Sequence, residues 1–296
     1  DDSDPVRFLT FYALARTGRL HWEMFRYPQR ASSDALLLRD TVWDTYSTVA
    51  DWRSDLYLEL GRVNESQRWA HEALAMEGET PRVLERVALV NILNGNPDTA
   101  RTFVRALAKV PFRAARARQY LSALDRDPSL RTDPLVARTR PLMLTRNYVG
   151  DFTTEQILDQ SLEASPSNRM AFEYLLAHYL LTFDMEGFAR LAPRLKDFYP
   201  HLPAHIEEAS LGFRNLHGSL PPGIDESAIL PQTQARFQRF VQIWTRVQNG
   251  PAEEAWKALA PGFGGTYWFF YIFGRTAAGP PFDARAAAPK GAGSPR

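Results

Sequence analysis

Residues 54–100 read SDLYLELGRVNESQRWAHEALAMEGETPRVLERVALVNILNGNPDTA, and the fold is decided there. Two helical patterns in this stretch each end on a glycine, SDLYLELG at Gly61 and ALVNILNG at Gly95, 34 residues apart. Self-similarity at that period belongs to stacked helix-turn-helix units, which bury their apolar faces only against neighbouring units. Helices of such a unit approach closely where small side chains face each other, seven residues before and five after the turn. Ser54 and Ser66 occupy those places around Gly61, and Ala88 and Ala100 around Gly95. Ala177 and Ala189 do so around Asp184, which takes the turn place in LLTFDMEGFA. Pro166 and Pro200 repeat the spacing of 34. Pro81, Pro111 and Pro200 follow their turn residues by 20, 16 and 16 places. A proline there suits the first turn of the next helix, where its missing N–H costs nothing.

Outward from this core the pattern stays helical. Residues 5–17 predict a helix ended by Gly18, and residues 34–60 a long helix with Asp34 as N-cap. Residues 134–164 carry a degenerate repeat around Gly150, with Asp151 or Thr153 able to cap the helix that follows. Residues 203–216 look helical, and residues 218–230 (GSLPPGIDESAIL) form a loop rich in turn residues. Residues 231–248 predict an amphipathic helix, with Phe237, Phe240, Val241, Trp244 and Val247 at helical spacing. Gly250 and Pro251 break it, a short helix follows over 252–259, and residues 261–265 turn the chain. Residues 266–273 suit a strand, a final helix or an extended segment capping the stack. The expected fold is all-α, an α-solenoid forming a single repeat domain over 1–276, with the clearest repeats at 48–111 and 167–200. A low-complexity tail at 277–296 is expected to be disordered.

Composition narrows the chemistry. The 296 residues are 45% hydrophobic and 23% charged, with a net charge of +1, ordinary globular values that argue neither for nor against nucleic acid. With no cysteine, disulfides, thiolate metal sites and a cysteine nucleophile are excluded. The chain starts at Asp1, which predicts a processed, trimmed or partial chain with room upstream for a signal peptide or anchor. The most apolar run, Tyr267 to Phe273, is too short to span a bilayer.

No catalytic constellation stands out. Gly-Lys-Ser/Thr and Gly-x-Ser-x-Gly signatures are missing. His201 and His205 are four apart, but Pro203 between them spoils a shared helical face, so a loop and helix start near Glu207 and Glu208 is preferred to a metal site. His178 either meets a ligand on an inner helical face or donates to a backbone carbonyl within the core. No cofactor and no metal are expected. Charge is uneven: residues 98–146 carry ten arginines and Lys109 against four aspartates, and residues 151–208 carry ten acids against four bases. The two segments complement each other, or the basic one, Arg113, Arg116 and Arg118 above all, faces anionic lipid or an acidic partner. Nucleic acid is not expected, since the stretch lacks interleaved aromatics for stacking.

Residues 48–110 resemble tetratricopeptide repeats, matching at Tyr57, Gly61, Ala73 and Leu74, then at Ala88, Gly95 and Ala100. Ser66 replaces the usual alanine, and the helix-starting prolines are shifted. The strings TGRLHWEMFRYPQ (17–29), NRMAFEYLLAHYLL (168–181), PAHIEEASL (203–211) and TYWFFYIFG (266–274) resemble the C-terminal soluble region of an uncharacterised bacterial membrane-protein family, a domain of unknown function. That resemblance implies membrane helices upstream and a bacterial, membrane-associated soluble region on the extracytoplasmic side. It implies no chemistry.

The leading expectation is a non-catalytic scaffold that binds a protein or peptide partner, working with a membrane assembly. The repeat frame assigns Asp51, Asp55 and Leu58 to the inner face in one unit, Arg82, Glu85, Leu89 and Ile92 in the next, and Tyr174, His178 and Leu181 in a later one. The alternative is an accessory domain for a membrane-embedded enzyme acting on envelope glycans or lipids.

Overall fold

The computed structural model describes residues 3–39, 47–146 and 151–274. Its regular structure is all helical, with no strand among the described residues. In chain order the α-helices are α1 (Asp4–Arg16), α2 (Leu20–Glu23), α3 (Asp34–Leu37), α4 (Ser47–Glu59), α5 (Val63–Glu77), α6 (Pro81–Leu93), α7 (Pro97–Leu107) and α8 (Ala114–Arg126). There follow α9 (Pro134–Thr139), α10 (Thr154–Ala164), α11 (Arg169–Thr182), α12 (Met185–Leu191), α13 (Leu195–Phe198), α14 (Ala204–His217), α15 (Pro231–Val247), α16 (Ala252–Phe263) and α17 (Tyr267–Phe273). The chain groups into two compact units. Leu37–Leu175 form one; the described residues up to Leu36, with those from Leu176 onward, form the other.

In the Leu37–Leu175 unit, consecutive helices pack on each other in the order α4, α5, α6, α7, α8. The turns are built as the small residues and glycines require. Gly61 and Gly95 sit at φ +75° and +77°, a left-handed conformation that glycine adopts freely. Ser54 and Ser66 are fully buried against each other. Each donates its hydroxyl to the other's backbone carbonyl, at 2.9 and 2.8 Å, so the serine in place of alanine is satisfied in the interior. Ala88 and Ala100 are fully buried in the next hairpin. Pro81 opens α6 behind Thr80, whose hydroxyl accepts from Val83 N–H at 3.3 Å. The core of this unit runs from Leu58 and Val63 through Leu84, Leu89, Val104 and Leu124 to Val136. Each such side chain contributes roughly 1.5–3 kcal/mol through burial.

Three local expectations are corrected. Residues 34–60 are not one helix: α3 ends at Leu37, and Leu38 turns left-handed at φ +50° while fully buried, its carbonyl held by Arg53. Asp184 does not take the left-handed turn place. Phe183 does, at φ +60°, and Asp184 caps α12 by accepting from Gly187 N–H at 2.8 Å. That turn is one residue shorter than the glycine turns, yet Ala177 and Ala189 remain buried. Pro261 does not end α16, which continues to Phe263. Thr153 caps α10 in a capping box with Gln156, whereas Gly150 and the tail from 277 lie outside the described residues.

In the other unit α14 packs against α2, α15 and α17. The aromatic run is the helix α17, capped by the Thr266 hydroxyl on Phe269 N–H at 3.2 Å. Phe25 meets Phe270, His205 and Tyr267 with ring centroids 4.9, 5.0 and 5.3 Å away. No helix among the described residues is long and apolar enough to cross a membrane.

Candidate functional site

The Leu37–Leu175 unit carries a cleft of about 490 Å³ whose walls come from α6, α7, α8 and α9. Helix periodicity places its residues. Arg82, Glu85, Arg86 and Leu89 recur along α6 at the spacings of one face, and Arg113, Arg116 and Tyr120 follow on α8 and the residue before it. Leu89, Val104, Leu107 and Leu135 make an apolar floor. Asp133 enters because it caps α9, accepting from Leu135 and Val136 N–H at 2.9 and 3.1 Å.

Ion pairs hold the α6 side of the cleft. Arg82 Nε lies 2.6 Å from Asp51 and its Nη2 lies 2.5 Å from Asp55; Arg86 pairs with Asp55 as well. Burial pushes the Asp51 carboxyl above the usual carboxylate range; Arg82 draws it back down, and Asp55 and Glu77 nearby push it up further. Arg116 Nε stands 2.8 Å from Glu85, bridging α8 to α6. Tyr120 stays a neutral hydroxyl at any physiological pH, because burial and the carboxylates of Asp133 and Glu85 raise its pKa. Several donors remain unengaged. Arg86 Nη1 is buried without a hydrogen-bond partner. The Arg113 guanidinium and the Tyr120 hydroxyl have no partner among the described residues. The cleft thus offers hydrogen-bond donors above an apolar floor.

The inner face assigned from the repeat frame divides. Arg82, Glu85 and Leu89 line the cleft, with Arg113 and Arg116 from the basic segment. Arg118 is exposed but does not line it. Asp51 and Asp55 lie behind it as partners of Arg82 and Arg86. Leu58, Ile92, Tyr174 and Leu181 are core residues, 2% exposed or less, and offer no surface, because these positions of their helices turn into the helix packing. His178 is half-buried, with Nδ1 2.8 Å from the Ser33 hydroxyl. Arg86, Tyr120 and Asp133 were missed. Arg86 was legible as the residue one helical turn beyond Arg82, and Asp133 as the cap before Pro134.

The His201–Glu208 stretch is the expected loop and helix start, with Pro203 as the N-cap of α14, but the helix start is not exposed. His201 is exposed, but His205, Glu207 and Glu208 are buried on α14. Glu208 accepts from His205 Nδ1 and from Tyr267 N–H, both at 2.8 Å, and so ties α14 to the start of α17. Trp268 Nε1 donates to the Glu208 carbonyl at 2.6 Å. Glu207 accepts from the Thr233 hydroxyl and from Leu230 N–H, which joins α14 to α15. This is packing between helices. Among the described residues no three metal-ligating side chains converge.

The basic segment finds its acids close at hand. Arg101 pairs with Asp98 and Asp125, Arg131 with Asp127, and Arg138 with Glu59. None of those acids lies in the acidic stretch 151–208.

Fold and cleft together define an all-α, helical repeat-like protein with an arginine-lined groove. The chain belongs to the family described as a family of unknown function (DUF6057), whose model matches residues 2–274. No curated protein and no solved structure matches the chain.

Proposed function

We propose that this protein is a non-catalytic interaction module, a solenoid of tetratricopeptide-like repeats that binds a protein or peptide in the α6–α8 cleft. One observation carries the reading: unengaged donors at Arg86, Arg113 and Tyr120 stand over an apolar floor, in the groove where repeats of this geometry hold extended chains. A volume of about 490 Å³ admits a few residues of a peptide. The donors favour a segment that brings carboxylate or carbonyl oxygens beside an apolar side chain. The turns at Gly61 and Gly95 and the paired small residues support the tetratricopeptide-like reading of α4–α7.

The test is affinity capture from the source cells with the wild-type chain and with Arg113→Glu and Tyr120→Ala, followed by calorimetry on the captured partner. Arg113→Glu is expected to weaken binding at least about tenfold, the size of a charge-assisted contact reversed, without changing the thermal midpoint. An unchanged partner set with unchanged affinity in both folded variants counts against the cleft.

A further inference from the structure

Between α7 and α8 the chain turns through Ala108–Arg113, and Phe112 in that turn is fully exposed at 104%. Its backbone is left-handed, at φ +63°, a conformation unfavourable for a bulky side chain. Among the described residues three other bulky ones adopt it, Leu38, Leu130 and Phe183. Each of those is buried, at 0%, 4% and 9% exposure, so packing offsets the strain. Phe112 has strain and exposure together with no packing in return, a combination that marks functional positions.

The surroundings name the partner's charge. No carboxylate occurs from Thr99 to Leu124, while Arg101, Arg105, Lys109, Arg113, Arg116 and Arg118 do. Of these, Arg105, Lys109 and Arg113 are exposed and without ion-pair partners among the described residues. Lys109 and Arg113 flank Phe112 in the turn itself. An aromatic wedge projecting from a turn, ringed by unpaired cations, suits a surface that is anionic at its face and apolar just beneath. A protein partner would need a preformed pocket for the ring and an acidic rim matched to it; a bilayer supplies both without shape matching.

We propose that the α7–α8 turn is a membrane-docking tip: Phe112 inserts at the interface of an anionic bilayer while Lys109, Arg113 and Arg105 meet its headgroups. The tip shares Arg113 with the cleft but is told apart from it by Phe112, Lys109 and Arg105, none of which lines the cleft.

The experiment is co-sedimentation of the full chain with vesicles of phosphatidylcholine alone or with about 30% phosphatidylglycerol, at low and high salt. Phe112→Gly is the informative variant, since glycine relieves the left-handed strain and the variant is expected to fold with an equal or higher thermal midpoint. The wild type is expected to partition into anionic vesicles at least about tenfold better than into neutral ones, with salt reducing the difference. Phe112→Gly is expected to lose about fivefold or more, and Lys109→Glu with Arg113→Glu to abolish the anionic preference. Equal partition into both vesicle types overturns the proposal, as does anionic binding that Phe112→Gly leaves unchanged. Absence of vesicle binding, with Phe112 required for a protein complex, overturns it too and makes the turn a protein contact.

Discussion

Gly61 and Gly95 take the same backbone conformation at equivalent turns, but their surroundings differ. A Cβ on Gly95 would meet nothing within 4 Å, whereas one on Gly61 would lie 1.9 Å from the Leu142 carbonyl oxygen. Leu144 N–H also donates to the Gly61 carbonyl at 3.1 Å, so the segment after α9 rests on this turn. Gly95→Ala is expected to cost only the left-handed backbone term, about 1–2 kcal/mol. Gly61→Ala adds a backbone displacement, for about 3 kcal/mol or more in all. Urea midpoints at constant m separate the two; equal costs would mean that the 142–144 segment yields freely. Glu207 makes a second residue-scale case. Burial raises its pKa above the ordinary 4.5, against the opposing pull of the Thr233 hydroxyl and Leu230 N–H. A carboxyl whose folded pKa is raised destabilises the fold only once ionised, so its penalty is absent below the unfolded value and grows as pH rises through the folded one. Glu207→Gln is therefore expected to raise the thermal midpoint at pH 7 by a few degrees at most (roughly the scale of a single-site change) and to lose that gain near pH 4. A gain that persists in acid would point to packing instead.

At the scale of elements, α4 and α6 are joined by Arg82 reaching Asp51 and Asp55, and α6 and α8 by Arg116 reaching Glu85. The two bridges have different weight. Asp51 is 6% exposed, so Arg82→Ala leaves a buried carboxylate unpaired, at an expected 1–3 kcal/mol (order of magnitude, about that of other stranded polar groups). Arg116 is 63% exposed on its side chain, and Arg116→Ala is expected to cost under about 1 kcal/mol. Acid should shrink the Arg82→Ala deficit as Asp51 takes up a proton, and leave Arg116→Ala little changed; chemical denaturation at two pH values checks both. Arg82 is thus as much a strut as a contact residue, which sequence spacing could not reveal: period shows which face a side chain occupies, not what opposes it. The elements themselves were legible wherever local signals agreed. The paired small residues and the glycine turns located α4 to α7, and the apolar stripe of Phe237, Phe240, Val241 and Trp244 located α15. The misses share a cause. Leu38 and Phe183 turn left-handed because burial of their own side chains outweighs local preference, and the buried acids of α14 look solvent-exposed until α15 and α17 are seen against them. In the cleft, residues on one helix face were readable, while Tyr120 and Asp133 required knowing that α8 and α9 pack beside α6.

On the scale of the whole molecule, each unit has interior packing of its own. Helices α4–α8 bury their apolar faces against sequence neighbours, and the core from Leu58 to Val136 closes within residues of the Leu37–Leu175 unit. The buried Arg62 adds to the closure: it donates to Glu65 at 2.5 Å, to Gln160 at 2.9 Å and to the Ile157 carbonyl at 3.3 Å, joining the α4–α5 turn to α10. Asn168 donates to the Glu59 carbonyl at 3.4 Å. Repeat arrays hold together through such nearest-neighbour interfaces, so a segment retaining all of them keeps most of its stability. A fragment of residues 37–175 is therefore expected to melt cooperatively, with a urea m-value roughly half that of the full chain, since m follows the surface exposed on unfolding. The fragment contains every residue of the cleft, so partner affinity should stay within about threefold of the full chain if the cleft is the binding site, a difference under 1 kcal/mol. Cooperative melting with lost affinity would move the site into the other unit, because the donors of the cleft would still be in place. Melting without a cooperative transition would mean that the core between Leu58 and Val136 depends on residues beyond 175, contrary to the closure its packing displays.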